Sequence, residues 1–429
     1  MSSQPILVVG TTTDYIDEIR RRYPGRALFV TAPDEREKGS EPRPDPNEEV
    51  LCDLRHARLV WAALNDHLHQ WHLQPAGVTC FDCESLELAA RIAGALDVPF
   101  PSPAAVDACR SKFLSKQMWS NAGLPCPQSE MIHSPSQLPD LLKRLALPVI
   151  LKPLTGSGSE LVFKCTTADD CTQALATIQS RLADHPNERM YKPEKNGSSQ
   201  MDSRRQLVIE TFIEGKEYSC DVIIDGAHLK VIRTAEKLPA IDQTLGTTLA
   251  YMVPAQLPIG LDQNLFERQL YTAARTLGLE RAVCMVDFIV SADIAYFLEM
   301  TPRPGGDCLP WLIRESCGLD IMGLALDFAA GNPIQLPEDS CWKALVGVRF
   351  FAKTAGTIRS VNASRLKQDG RIASYYLKAQ PGYRVKLPPE DYDSRILGHA
   401  IFEANPYDPI QQQCLDIEAK LTVAMETSA

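Results

Sequence analysis

The stretch CMVDFIVSADIAYFLEM at 284–300, continued by TPRPGGD at 301–307, decides the fold expected of this chain. It reads as two apolar strands around a turn, with one carboxylate inside each strand, Asp287 and Glu299. If the turn centres on Asp293, the two acids are cross-strand neighbours on one face, with Cβ atoms about 5 Å apart. Such carboxylates repel unless they share a proton or a cation. We predict that they bind Mg²⁺, the alternative being an edge strand whose acid faces water.

The segment that follows the second strand has the composition of an anion-binding loop. Two prolines stiffen the backbone around Arg303, and Gly305 and Gly306 leave their N–H groups accessible. An arginine beside such amides can neutralise the charge that develops in phosphoryl or acyl transfer. We predict a catalytic role for these three residues, and the alternative is a surface turn with a solvated arginine.

A second phosphate-binding signal lies in LPVILKPLTGSGSELVFKC at 147–165. Lys152 ends an apolar run, where a buried ammonium requires an anionic partner. The loop containing Gly156, Ser157 and Gly158 follows at once, and its free N–H groups could cover phosphates. The lysine precedes the glycines and a strand follows them, so this is not a Walker A loop. The alternative is a plain hairpin turn.

The segment VIETFIEGKE at 208–217 joins two further apolar strands, LVIETFIEG and KEYSCDVIIDG, which we expect to form a hairpin over 207–226. Backbone groups near Phe212 and Ile213 are candidates for reading adenine. Glu210 would accept from the adenine amino group and Glu217 from the ribose hydroxyls. The alternative is that both acids are ordinary exposed strand residues.

The flanking regions differ in pattern. Over the first hundred residues, strands at 5–10, 27–31 and 77–81 alternate with helices at 14–23, 56–73 and 84–96, which predicts a small open parallel sheet. The turn after the first strand lacks G-x-G-x-x-G, and the stretch from Glu35 to Glu49 reads as an exposed loop. The polar segment 191–205 is predicted to be mobile. After Pro337, short strands and turns lead to a helix near 409–425.

Composition excludes several classes of protein. A chain of 429 residues implies two or three domains, and its formal charge of −10 argues against a nucleic-acid partner. The chain has no apolar run long enough to span a membrane, and its start does not resemble a signal peptide, so we expect a cytoplasmic protein. Its 13 cysteines read as buried thiols. Cys80 and Cys83 form the one C-x-x-C pair, which we interpret as a strand end, with zinc or redox use as the alternative.

Taken together, these motifs resemble the ATP-grasp superfamily over roughly residues 105–335. SKFLSKQMWSNAGLPCPQ at 111–128 is similar to the family's entry helix, whose lysine reaches the nucleotide phosphates, and Lys112 matches it. The resemblance implies an α/β (α+β overall) ATP-grasp fold. Its parts would be an N-terminal Rossmann-like domain (1–104), an ATP-grasp domain (105–340) with a lid at about 135–215, and a small C-terminal domain (341–429).

Two positions bear on how far the resemblance extends. Lys237 falls where the family often places another residue near the γ-phosphate. The family usually has Asn two residues after the metal-binding glutamate, whereas this chain has Thr301, whose single hydroxyl is a poorer ligand. We therefore expect ATP with one or two Mg²⁺ ions, Thr301 being the weakest of the three metal candidates.

The activity that the resemblance implies is that of a carboxylate–amine ligase. Such an enzyme forms an amide or peptide bond through an acyl phosphate, releases ADP and phosphate, and would act here on small molecules, amino acids among them, as a possible homodimer. The alternatives are a bicarbonate-dependent carboxylase similar to biotin carboxylase, or a nucleotide-binding module with weak catalysis. The histidines His67, His69 and His72 read as a solvated helix face.

Overall fold

The computed structural model describes residues 4–39, 41–191, 193–196, 199–241 and 243–426. The first hundred residues form a parallel four-stranded sheet in the order β3-β2-β1-β4, as the alternating pattern predicts. Its elements are β1 (Ile6–Val9), α1 (Thr13–Arg22), β2 (Ala27–Thr31), α2 (Pro33–Lys38), β3 (Glu49–Leu51), α3 (Ala57–Trp71), β4 (Gly77–Thr79) and α4 (Leu86–Leu96).

One local prediction in this region is wrong only at its ends. The stretch from Glu35 to Glu49 is predicted to be an exposed loop, and the described residues between α2 and β3 are one, but α2 extends to Lys38 and β3 begins at Glu49. Arg36 is buried there and forms an ion pair with Glu49. The polar composition misleads because the charges of this segment are paired with each other and with a neighbouring strand, which compensates their burial.

A smaller antiparallel sheet follows, in the order β5-β10-β6-β7. Its apolar face packs against two helices, and two further strands pair with each other outside it. Short 3₁₀ turns lie at Pro135–Gln137 and Asp339–Cys341. The elements of this part are α5 (Pro103–Arg110), α6 (Lys112–Asn121), β5 (Ser129–Ile132), α7 (Leu138–Arg144), β6 (Val149–Pro153), β7 (Phe163–Cys165), α8 (Ala168–Ala183), β8 (Pro193–Asn196), β9 (Ser199–Asp202) and β10 (Leu207–Thr211).

The largest sheet has eight strands in the order β15-β14-β11-β12-β13-β16-β20-β18, all paired antiparallel. Its main core lies between the sheet and the helices α6 and α9. The elements are β11 (Lys216–Asp225), β12 (His228–Pro239), β13 (Thr248–Val253), α9 (Gln263–Thr276), β14 (Arg281–Ser291), β15 (Ile294–Thr301), α10 (Leu309–Cys317) and α11 (Ile321–Ala329).

The strands β10 and β11 do not form the expected hairpin over 207–226. β10 pairs with β5 and β6, whereas β11 pairs with β12 and β14, so the two strands belong to different sheets. Residues 212–215 are therefore a connection between sheets. The prediction is wrong because strand partners come from distant segments, which a short apolar pattern does not reveal.

The C-terminal region contributes strands to the large sheet and adds a small sheet of its own in the order β19-β17-β21. The helix expected near 409–425 ends at Glu418, and the last residues form a strand that pairs with β17. The predicted domain boundaries stay a prediction. The elements are β16 (Leu345–Phe351), β17 (Gly356–Asn362), α12 (Ser364–Gln368), β18 (Ile372–Leu377), β19 (Arg384–Val385), β20 (Ile396–Phe402), α13 (Ile410–Glu418) and β21 (Thr422–Met425).

No helix within the described ranges is both long and apolar enough to cross a membrane.

Candidate active site

A buried cluster of lysines surrounds Glu210 where the small sheet meets α6. Lys152 Nζ on β6 donates to Glu210 Oε2 at 2.6 Å, and Lys116 Nζ lies 3.7 Å from Glu210 Oε1. Glu210 is 2% exposed and Lys116 1% exposed. Burial lowers the pKa of Lys116 to about 8, with Lys152 and Lys112 adding to the effect and Glu210 opposing it. This is a site with dense positive charge held by one carboxylate.

The carboxylates of the hairpin β14–β15 lie opposite each other, as predicted. Asp287 pairs with Glu299, and a bulge after Asp287 shifts the remaining register, so that the turn is formed by Ala292 and Asp293. Lys112 Nζ donates to Glu299 Oε2 at 2.7 Å. Although burial alone would raise it, this ammonium lowers the pKa of Glu299 to about 2. The lysine predicted for phosphates and the glutamate predicted for metal therefore contact each other directly.

Asp287 contacts a second lysine on the neighbouring strands. Lys237 Nζ lies 3.5 Å from Asp287 Oδ2 and also donates to Glu217. Burial raises the pKa of Asp287, whereas Lys237 lowers it, and the net direction is upward. Asp287 Oδ1 is buried and has no hydrogen-bond partner among the residues that the structure describes. An unpaired carboxylate oxygen in such a position suits a hard cation.

The glycine–serine loop joins β6 to β7 as a strand–loop–strand unit, as predicted. Gly156 has φ +134°, a conformation that favours glycine, and Ser157 and Gly158 are exposed at the tip. Lys112 N donates to Leu154 O at 2.9 Å, which ties the loop to the start of α6. The loop is thus held next to the lysine cluster at its base and is open to solvent at its tip.

The connection between the two sheets carries the residues predicted to read adenine. Phe212 N donates to Pro148 O at 3.2 Å, and Lys164 Nζ lies 3.7 Å from the centre of the Phe212 ring. Phe212 and Ile213 are both half-buried. Glu210 on β10 and Glu217 on β11 stand on either side of this connection.

The loop after β15 is anchored from below by a fully buried ion pair. Arg233 Nε donates to Asp221 Oδ2 at 2.9 Å, and Gly305 N donates to Asp221 Oδ1 at 2.9 Å. A Cβ at Gly305 would lie 2.6 Å from Arg233 Nη2, which explains the glycine by close approach. The Gly305 N–H is already used inside the protein, so in this conformation it is not free to bind an anion as expected. That role stays a prediction for Gly306.

Comparison with known proteins gives the fold a family. Residues 145–310 match the family model described as an ATP-grasp domain. The chain contains an ATP-grasp domain. It covers β6 to α10 and includes Lys152, Glu210, Asp287, Glu299 and the loop that follows. The predicted membership in the ATP-grasp superfamily is confirmed.

Two curated relatives are similar to part of the chain, and one solved structure superposes on all of it. An uncharacterized protein of Sinorhizobium fredii is 24% identical over 327 residues, which are 75% of this chain and 62% of that protein. A D-alanine–D-alanine ligase of Cupriavidus taiwanensis is 26% identical over 251 residues, 54% of this chain and 66% of the ligase. An L-amino acid ligase from Bacillus licheniformis superposes with a TM-score of 0.81 at 16% identity over 100% of both chains, which shows the shared fold.

The chain spans less than two thirds of the length of the first two relatives. The predicted mixed α/β fold of the ATP-grasp type is confirmed by the superposition and by the domain match.

The N-terminal region supplies a residue to the ATP-grasp domain that was assigned no role from sequence. Cys83 follows β4 and is buried, and its Sγ accepts from Arg303 Nε at 3.2 Å and from Nη2 at 3.1 Å. Burial raises the pKa of the Cys83 thiol, and Arg303 opposes that rise. The position of Cys83 after the parallel strand β4 could have identified it from the sequence, because ligand-binding loops follow the carboxyl ends of parallel strands.

Lys116 and Thr301 make contacts that the sequence pattern does not predict. Lys116 donates to Leu298 O on β15, so it connects α6 to that strand. Its spacing of four residues from Lys112 on one helix is the signal that could have identified it. Thr301 Oγ1 donates to Glu299 Oε1 at 3.3 Å, and the side chain is buried. Thr301 thus orients Glu299 in this structure.

No group of three or more His, Cys, Asp or Glu side chains suited to a metal ion occurs in the described part of the chain. His67 contacts Asn47 O at 3.3 Å, and His72 ends α3 with φ 51°. His67 and His69 lie on α3 and His72 follows it, and their interpretation as a solvated helix face stays a prediction. A cation at Asp287 and Glu299 would accordingly need ligands from a bound substrate.

Proposed function

We propose that the chain is an ATP-dependent carboxylate–amine ligase that activates a carboxylate as an acyl phosphate and releases ADP and phosphate. The observation that supports this most is the pairing of lysines with carboxylates in one cleft. Lys112 binds Glu299 and Lys237 binds Glu217 and Asp287, while Lys152 is held by Glu210. Substrate phosphates can attract the same ammonium groups.

The residues at the metal side fit Mg²⁺. Asp287 has a buried oxygen without a partner, and Glu299 lies opposite it with an ionised carboxylate. Both offer the hard oxygen ligands that Mg²⁺ takes together with substrate phosphates. When bound there, the ion would offset charge on the β- and γ-phosphates. Thr301 points its hydroxyl at Glu299, so we propose one ion held by the two acids and leave Thr301 a supporting role.

The remaining residues fit the steps of this reaction. The substrate carboxylate attacks the γ-phosphorus, the bond to ADP breaks, and an acyl phosphate forms. Lys112 and Lys152 would hold the phosphates while the loop with Gly156, Ser157 and Gly158 covers them. Arg303 would offset the charge of the acyl phosphate. The amine then attacks the carbonyl carbon, phosphate leaves with the C–O bond electrons, and the amine loses a proton.

The adenine and ribose would lie along the connection between the sheets. Backbone groups of Phe212 and Ile213 are proposed to read adenine, and Glu217 to accept from the ribose. Glu210 is almost fully enclosed by two lysines, so its proposed contact with the adenine amino group requires one of its oxygens to turn away from them. Its Oε1 has no hydrogen bond to a described residue, which leaves that oxygen able to accept one.

ADP release on addition of pairs of amino acids tests the proposal. Glu299→Gln should lower the rate by about a hundredfold or more. Glu299 is both a proposed metal ligand and the partner of Lys112, and the substitution removes its charge. Glu338→Gln is the matched control, since Glu338 is exposed and distant in sequence from the site. ADP release that no amino-acid pair stimulates would contradict the proposal, and stimulation by bicarbonate alone would favour a carboxylase.

A further inference from the structure

Beside the loop at 302–307, which follows β15, four aromatic rings from distant parts of the chain contact one another. We call this group of rings the aromatic wall. Tyr15 on α1 meets Trp311 on α10 edge to face, with ring centres 5.4 Å apart. Trp311 stacks on Tyr376 of β18 at 6.2 Å with an angle of 5° between the ring planes. His399 on β20 lies 5.4 Å from Trp311 and 5.8 Å from Tyr376.

One end of the aromatic wall adjoins Arg303, the positively charged residue of the loop at 302–307. A Cβ built on Gly306 would lie 3.9 Å from Tyr15 Oη and 3.6 Å from Arg303 Nη1. Asp307 follows in the same loop and pairs with Arg349 at 2.8 Å. Arg303 is therefore the group that a carboxylate lying on the wall would meet at this end.

The other end of the wall is acidic. Thr13 Oγ1 donates to Glu41 Oε2 at 2.6 Å, and burial together with Asp14 and Glu41 raises the pKa of the Tyr376 phenol. Burial also raises the pKa of Asp14, and Glu41 adds to that rise, so the two carboxylates lie close enough to repel. Within the described ranges neither Asp14 nor Glu41 has a cationic partner within 4.0 Å. Lys378 interacts electrostatically with Asp14, but it pairs with Asp393 at 2.8 Å.

The wall also contains a histidine that makes no side-chain hydrogen bond within the described part of the chain. His399 is 6% exposed, and its imidazole makes no hydrogen bond to the residues that the structure describes. Burial lowers the pKa of His399 to about 4, so the ring is neutral at pH 7. Buried polar side chains nearly always have a hydrogen-bond partner. A neutral imidazole beside two aromatic rings can donate one hydrogen bond to a bound molecule or accept one from it.

Building on the proposed function, we infer that the aromatic wall binds the carboxylate substrate, and that this substrate carries a positively charged group remote from its carboxylate. Its carboxylate would lie at Arg303, and its cation would lie over Trp311 and Tyr376 with Asp14 and Glu41 beyond them. An α-ammonium group is too near its own carboxylate to reach the acidic end. Basic amino acids, with a cationic group at the end of the side chain, are the class that fits.

Paired substrates with and without the side-chain charge test this inference. Arginine and citrulline have nearly the same shape, and norleucine has the carbon chain of lysine without its terminal amino group. Each amino acid is offered with alanine and MgATP to the full chain. We expect kcat/KM for ADP release to favour the charged member by about tenfold or more, the value of one charge-assisted contact. Mass spectrometry of the product identifies which amino acid supplied its carboxylate, and a basic residue is expected in that place.

The acidic end is tested by Glu41→Gln and, as a second variant, Asp14→Asn. Each should lower the ratio of arginine to citrulline by about tenfold, because the amide retains shape and hydrogen bonding but not charge. Glu37→Gln is the matched control, since Glu37 lies in the same segment and is exposed. A ratio near one in the wild type, or a ratio that neither variant changes, would overturn the inference.

Binding measured without turnover separates this inference from the proposed ligase activity. Calorimetric titration of the full chain with arginine and with citrulline reports the preference whether or not ADP is released. Selective arginine binding without substrate-stimulated ADP release would refute the ligase proposal and leave the aromatic wall as a cation-binding surface. ADP release with equal binding and equal rates for both amino acids would refute the aromatic wall alone.

Discussion

Replacement of Lys116 by methionine should stabilise the chain at pH 7 and at the same time weaken its activity. Lys116 is 1% exposed, and burial with two neighbouring lysines lowers its pKa from 10.5 to about 8. At pH 7 the ammonium is therefore charged in an environment that disfavours the charge. Methionine has a similar length and carries no charge, so it removes this penalty while filling most of the same space.

The size of the effect follows from the two pKa values. A fall from 10.5 to about 8 corresponds to a cost of about 3 kcal/mol for keeping Lys116 charged in the folded protein. The attraction of Glu210 is already included in that net shift, and Glu210 keeps Lys152 as its partner at 2.6 Å. The lost hydrogen bond to Leu298 O removes about 1 kcal/mol of the gain. We expect a net stabilisation of about 2 kcal/mol at pH 7.

The stability difference between the wild type and Lys116→Met should depend on pH. Between pH 8 and 10.5 the folded protein binds fewer protons at Lys116 than the unfolded chain, so wild-type stability rises with pH across this window. The penalty is complete below pH 8 and absent above 10.5, because Lys116 is then neutral in both states. The advantage of Lys116→Met should accordingly shrink through this window, and at its upper end the lost hydrogen bond should leave the variant slightly less stable.

Urea denaturation of the wild type and Lys116→Met at pH 7, 9 and 10.5 measures this difference in free energy of unfolding, over the window that the shift defines. Lys367→Met is the control, since Lys367 is exposed on α12 and should give no pH-dependent difference. ADP release should fall in Lys116→Met alone, because a positive charge next to the phosphate-binding lysines is lost. A variant less stable than the wild type at pH 7 would refute the reasoning.

Three further predictions concern the loop and its support. Asp221→Asn should lower the free energy of unfolding by about 3–5 kcal/mol in chemical denaturation, since it leaves the buried guanidinium of Arg233 uncompensated, and a loss below about 1 kcal/mol would contradict this. Cys83→Ala should reduce kcat for ADP release more than it changes KM, because Arg303 loses a hydrogen-bond acceptor. Cys83→Ser should recover part of the loss. Equal rates in the wild type and both variants would exclude this positioning role. Glu299→Gln should make the melting temperature less dependent on pH in acid. The wild-type carboxylate contributes stability above its ordinary pKa of 4.5, and this stability is lost as the pH falls toward 2. Melting temperatures of wild type and variant that fall in parallel with pH would contradict this.

Short-range patterns proved sufficient for the hairpin that contains the proposed metal ligands. The turn at Ala292 and Asp293 lies between two apolar runs, and it sets the pairing of Asp287 with Glu299 even though a bulge intervenes. Register in a hairpin depends on the turn and on which face is buried, and both are local. The same applies to the loop with Gly156 and to the alternating strands and helices of the first hundred residues.

Long-range pairing accounts for what the pattern missed. The strands β10 and β11 follow each other closely in the chain, yet each joins a different sheet because its partners come from elsewhere. Arg36 is buried for a similar reason, since Glu49 of the next strand pairs with it. In each case the competing partner is a strand whose position depends on the whole fold.

The sequence by itself determined the family resemblance, the opposed carboxylates and the lysines, because these depend on residue type and on spacing within single elements. Only the tertiary structure decided that Cys83 reaches Arg303 over 220 positions, that Lys116 lies beneath Glu210, and that rings from α1, α10 and two C-terminal strands meet. Contacts between distant segments depend on how every intervening element packs. No local pattern encodes their distances.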